Sequence, residues 1–106
     1  MLITDKIKST ANLEHIVFKK HTLTRMLERG VSSDDIKAIL GSFIIVEEYY
    51  DDKPFPSCLI LGFKNDRPLH AVVSYDSEFD VIFIITVYEP SVELWENEFK
   101  IRRKNT

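Results

Sequence analysis

Cysteine is nearly missing from this chain: Cys58 stands alone among 106 residues. No disulfide can form within the chain, so the fold has to rest on its core. Long apolar runs are missing too. The longest strongly apolar stretch, Val81 to Ile85 within VIFIITV, is far below the roughly 20 residues that span a bilayer. The start MLITDKIKST lacks the long apolar segment of a secretory signal. A soluble, cytoplasmic protein with no membrane partner is expected. No Pro/Gly-rich linker, internal repeat or low-complexity tract divides the sequence, so a single domain over residues 1–106 is expected. Positive charge is in deficit: fourteen Lys and Arg against seventeen Asp and Glu give a formal charge of −3. No whole-molecule field would draw such a protein onto nucleic acid, and any polyanion has to be met by a local patch. There is no GxxxxGK loop, no GxGxxG and no GxSxG elbow. His15, His21, His70 and Cys58 lack the close spacing of a zinc knuckle or an HExxH helix, so neither metal nor cofactor is expected.

What is present reads as α+β. A weak helix is expected over Thr4 to Leu13, followed by a short extended piece, HIVFKK. In HTLTRMLERG, Leu23, Met26 and Leu27 fall on one side of a helix that Gly30 can close in a left-handed C-cap. Ser32 is a good N-cap for the next helix, with Asp34 and Asp35 at its positive end and Ile36, Ile39 and Leu40 as its buried stripe. From Phe43 the pattern turns to strand: FIIVEEYY, SCLILGF, LHAVVSY and DVIFIITVY, each rich in branched or aromatic residues. The separators are too short for helical crossovers, which predicts a four-stranded antiparallel meander with helices packed on one face. Val92, Trp95 and Phe99 recur at i, i+3 and i+7 and predict a C-terminal helix, with the basic tail complementing its negative end.

Two groups of residues invite chemistry. His21, Arg25 and Arg29 fall at i, i+4 and i+8 and form one stripe, suited to a phosphate backbone or another acidic partner. A solvated face with an ordinary Arg25–Glu28 ion pair is the competing reading. On the sheet, His70 interrupts an apolar strand, and a neutral-range pKa would suit it to proton transfer. A hydrogen-bonded packing role is the competing reading there. Whether Thr86 and Tyr88 share its face depends on the loop near Asp76 to Phe79: four residues separate them from it, and one residue more or fewer brings them together. RMLERGVSSDDIKAIL also has the outline of a helix-turn-helix, but Asp34 and Asp35 would enter the phosphates first.

The segments HTLTRMLERGVSSDDI, EEYYDDKPFPSCLILGF, RPLHAVVSYD and IITVYEPSVELWENEF, which span His21 to Phe99, resemble a family of small bacterial domains of unknown function. That family is similar in outline to the RelE-like toxins of toxin–antitoxin systems, and to MqsR-type toxins in particular. The resemblance implies a RelE-like fold and a metal-independent mRNA endoribonuclease. Its partners would be mRNA or the ribosome and an antitoxin of zinc-finger and helix-turn-helix character. It would place phosphate binding on Arg25 and Arg29, proton transfer on His70 or His21, and substrate orientation or hydrogen-bond donation on Tyr88. Pro56, Ser57, Cys58, Thr86 and Trp95 also fall in the motif, with Pro56, Cys58 and Trp95 better explained by turns and packing. Such toxins are strongly basic, and this chain departs from them; EEYYDD would suit a basic protein partner instead. The alternative function is a non-catalytic module that binds an acidic ligand or a protein. Self-association through an open sheet edge is left undecided by the sequence.

Overall fold

A computed structural model describes residues 15–93, 95, 96 and 98–102. The expected helix over Thr4 to Leu13 lies outside these residues. The element order is β1 (Ile16–Phe18), α1 (Lys20–Arg29), α2 (Ser33–Gly41), β2 (Phe43–Tyr49), β3 (Ser57–Lys64), β4 (Arg67–Asp76), β5 (Val81–Tyr88), β6 (Trp95–Glu96) and β7 (Ile101–Arg102). No helix among the described residues is long and apolar enough to cross a membrane.

The expected four-stranded antiparallel sheet is corrected to five strands in the order β1-β5-β4-β3-β2, with β1 parallel to β5. The meander from β2 to β5 is antiparallel as its short connections require. β1 falls within the extended piece expected over HIVFKK; its place in the sheet is not legible there, because three residues carry little pattern and their partner strand lies at the far end of the meander. The expected C-terminal helix is also overturned. β6 and β7 form a separate two-stranded hairpin, with Glu98 and Phe99 at φ 57° and 71°. Two consecutive positive φ values are the sign pattern of a type I′ hairpin turn and cannot occur inside a right-handed helix. Trp95 keeps its packing role but reaches it from a strand. With a fifth, parallel strand and a hairpin in place of the last helix, the RelE-like fold is not what this chain adopts.

Helix α2 follows its sequence closely. The Ser32 hydroxyl accepts from the Asp35 N–H at 3.1 Å and the Asp35 carboxylate accepts from the Ser32 N–H at 2.9 Å, a complete capping box. Its Ile36, Ile39 and Leu40 are fully buried against the sheet, each contributing about 1.5–3 kcal/mol of apolar burial. Contact is close enough that Gly62 of β3 carries no Cβ because one would sit 2.5 Å from Ile39 Cβ.

Helix α1 behaves differently. Gly30 closes it at φ 66°, ψ 38° as its sequence suggests, yet Leu23 and Leu27 are 50% and 84% exposed. The residues it buries are Thr22 and Met26, because the helix lies along the β5 side of the sheet, beyond the end of β1. There β5 has carbonyls without a strand partner, and α1 supplies the donors. The Thr22 hydroxyl bonds the Ile85 carbonyl at 2.9 Å, with Ile84 O at 3.2 Å, and Arg29 Nη1 donates to Val87 O at 2.7 Å. Arg67 then holds the end of the helix, donating to Gly30 O at 2.8 Å and Arg29 O at 3.0 Å while pairing with Glu89 at 2.7 Å.

Candidate functional site

The site takes shape on the sheet face away from α2, and a single extra residue creates it. Near the β4–β5 turn the pairs are Asp76↔Val81, Tyr75↔Ile82 and Val73↔Ile84; beyond it they are Val72↔Thr86 and His70↔Tyr88. Ile85 is therefore a bulge. It explains the burial along β5, where Ile82 and Ile84 point to the core and the next core residue is Val87. Ile82 and Ile84 thus part company with Thr86 and Tyr88, which the alternation of the strand would have placed together. Without the bulge, the register set at the turn would put His70 opposite Val87 and leave Tyr88 on the other face.

His70 is 0% exposed, with both ring nitrogens engaged: Nε2 lies 2.8 Å from the Phe99 carbonyl and Nδ1 lies 3.1 Å from the Tyr88 hydroxyl. A carbonyl only accepts, so Nε2 carries the hydrogen; in the neutral ring Nδ1 then accepts from the Tyr88 phenol. Burial pushes the His70 pKa below its ordinary value, opposed by the Phe99 hydrogen bond, and the same burial pushes the Tyr88 phenol up. Both groups are held neutral.

The hairpin β6–β7 covers this pair. Trp95 meets the His70 ring edge to face at 4.4 Å, and the Arg102 guanidinium sits 4.6 Å above the Trp95 ring. Arg102 continues to Glu47, with Nε and Nη2 at 2.8 and 3.1 Å from the two carboxylate oxygens. That hydrogen bond holds the Glu47 carboxyl below its usual range despite burial. The Tyr49 phenol donates to Glu47 at 2.5 Å and is pushed up, first by burial and then by that bond. A bulge at Val46 sets Glu47 opposite Leu59.

Of the residues singled out in the sequence, His70 and Tyr88 are brought together, with Thr86 on the same face. His21 is exposed on α1, Arg25 pairs with Glu28 at 3.0 Å on an exposed surface, and Arg29 is turned to Val87 O. Among the described residues no hydrogen bond or ion pair joins these three to His70 or Tyr88, and no group of three or more His, Cys, Asp and Glu could hold a metal ion. Cys58 has its thiol pushed up to about 11 by burial, which keeps it unreactive at neutral pH. Arg102 and Glu47 were not foreseen. Their separation in sequence hides the pair, and Arg102 reads there as a charge at a helix end.

A family described as "Domain of unknown function (DUF4258)" matches residues 18–89, and the chain belongs to it. Neither a curated protein nor a solved structure matches the chain. The matched span holds the sheet from β2 to β5, both helices, and with them His70 and Tyr88; it ends before Trp95 and Arg102, so the covering hairpin lies beyond it.

Proposed function

We propose that this domain is a toxin-like, metal-independent endoribonuclease acting on mRNA, with Tyr88 as the side chain that meets the scissile phosphate. The observation that carries this reading is the half-exposed Tyr88 phenol bound to the buried, neutral His70. At rest the phenol hydrogen is committed to Nδ1. Once His70 takes a proton from water, relayed as the Tyr88 phenol passes its hydrogen to Nδ1 and gains one from solvent, Nδ1–H donates to the phenol oxygen and the phenol hydrogen is free to turn toward substrate. In the reaction the RNA 2′-oxygen loses its proton to water and bonds to phosphorus, the bond to the 5′-oxygen breaks, and Tyr88 donates the proton that oxygen needs. His70 returns a proton to the phenolate. The products are a 2′,3′-cyclic phosphate and a 5′-hydroxyl.

The resemblance of the sequence segments to a family likened to RelE-like and MqsR-type toxins supports the reaction class, since such enzymes cleave without a metal. It is a resemblance of sequence segments, and the fold itself differs by the parallel β1 and the C-terminal hairpin. In this reading an antitoxin of zinc-finger and helix-turn-helix character is the neutralising partner. The test is induction of the chain in a bacterium with RNA ends mapped, beside Tyr88→Phe. Growth arrest with new mRNA ends, lost in the variant, supports the proposal; normal growth and intact RNA at confirmed soluble expression overturn it.

One observation favours a second reading, a non-catalytic module for an acidic ligand or protein partner. His70 is fully buried with both nitrogens satisfied inside the protein, as expected of a packing histidine. Retained cleavage in His70→Gln would remove it from the mechanism above.

A further inference from the structure

The face that carries Tyr88 continues toward β1, where the loop after β2 and the start of α1 border a shallow hollow open to solvent. Phe55 and Phe83 supply an aromatic wall, their rings parallel within 9° and 5.7 Å apart, and both are only half-buried. Lys19 and Lys53 line the same hollow from distant parts of the chain; both are exposed, and among the described residues neither ammonium has an ion-pair partner.

Ser74 adds an independent sign. It is 6% exposed and lines the hollow, yet among the described residues its hydroxyl has no hydrogen-bond partner. The hydroxyl is not a buried atom; it reaches the open side of the hollow, where it can bond whatever enters. Lys19 is also the N-cap of α1, a helix start with no acidic residue in its first turn and no side-chain cap. The positive end of the helix therefore reinforces the two lysines. Asp52, beside Lys53 in sequence, has its carboxylate held by the Ser57 hydroxyl. An aromatic wall, two exposed cations and a hydroxyl facing the hollow are the complement of a nucleotide: a base to stack, a phosphate to hold, and a polar edge to bond.

We propose that this hollow binds a nucleoside monophosphate unit, free or as one residue of single-stranded RNA. The base stacks on Phe55 and Phe83, the phosphate lies between Lys19 and Lys53, and Ser74 bonds the ribose or the base edge. The proposal goes beyond the cleavage reading, because a nucleotide can seat here in a protein that cuts nothing.

The experiment is a titration of the isotopically labelled full chain, followed by amide NMR shifts, with uridine and adenosine 5′-monophosphates, a short single-stranded RNA and inorganic phosphate. Saturable shifts at Lys19, Phe55, Ser74 and Phe83 are expected with nucleotide or RNA. Phe55→Ala should weaken binding about tenfold or more, and Lys53→Gln should weaken it and flatten its salt dependence. Lys53 is exposed, so its variant keeps the test valid should Phe55→Ala unfold. Mononucleotide binding as tight as RNA identifies a free-nucleotide site; much tighter RNA binding identifies a strand site. Absence of shifts at these residues with both ligands at millimolar concentration overturns the proposal, as do equal shifts from phosphate alone that survive Phe55→Ala. RNA bound here but left uncut counts against cleavage alone, while cleavage without these shifts counts against the hollow alone.

Discussion

On the α2 side of the sheet, Ile60, Ala71, Val73 and Ile84 form one apolar cluster with Ile36, Ile39 and Leu40, whereas the opposite side seats His70 among Tyr88, Trp95 and Arg102. The first side is closed by shape: one missing methyl at Gly62 decides whether the helix fits. The second is closed by directional bonds, each group orienting the next from Tyr88 through His70 and Trp95 to Arg102 and Glu47. Shape tolerates no added volume, and a directional chain tolerates no lost partner.

The contrast can be broken most severely at Gly62. Gly62→Val should cost about 3 kcal/mol or more, since the new Cβ meets Ile39 Cβ at 2.5 Å and helix backbone at 2.9 Å; urea denaturation measures it, and a loss below 1 kcal/mol would mean that α2 can lift away. Next comes His70→Ala on the other side, expected to cost about 2–4 kcal/mol through a cavity and an orphaned Phe99 carbonyl.

The same histidine gives the polar side a pH dependence that the apolar side lacks. Burial holds the folded His70 pKa below the ordinary 6.5, so between that lowered value and 6.5 the unfolded chain binds more protons. Stability therefore rises with pH across this window and is lost on acidification through it. The thermal midpoint should fall as pH is lowered through this window, and His70→Gln should flatten the fall; an unchanged slope would show that another group titrates. Glu47 acts in a separate window, its contribution present above 4.5 and lost as pH falls through its lowered pKa.

Smaller effects sharpen the picture. Arg102→Ala should cost only about 1 kcal/mol, because the guanidinium is 59% exposed and solvent screens its pair with Glu47. Its signature is a changed Trp95 fluorescence, Trp95 being the only tryptophan. Arg25→Ala should move stability by less than about 0.5 kcal/mol, as its pair with Glu28 is more than half exposed on both sides.

The contrast also governs what the sequence reveals. Strands rich in branched and aromatic residues, the Ser32 N-cap and the Gly30 C-cap are local, and all are legible. Bulges are not. Loop length fixes a register only as far as the first extra residue, so the face shared by His70 and Tyr88 was decided at Ile85, where nothing in the letters marks a bulge. Val92, Trp95 and Phe99 have helical spacing, but Trp95 is placed by His70 and Arg102, partners that no local window contains. Leu23, Met26 and Leu27 share one side of α1, but the helix runs along the edge of the sheet, where Thr22 and Met26 are the inward residues.

The parallel pairing of β1 sets an order of assembly. Its residues Ile16 to Phe18 join Ile82 to Ile84, so this earliest described strand has no template until nearly the whole sheet exists. Closing so long a loop for three residues is repaid only after β2 to β5 have zipped through their short turns. As the chain emerges during synthesis, β1 waits for its partner, and the edge it then covers is the last part of the sheet to be sealed.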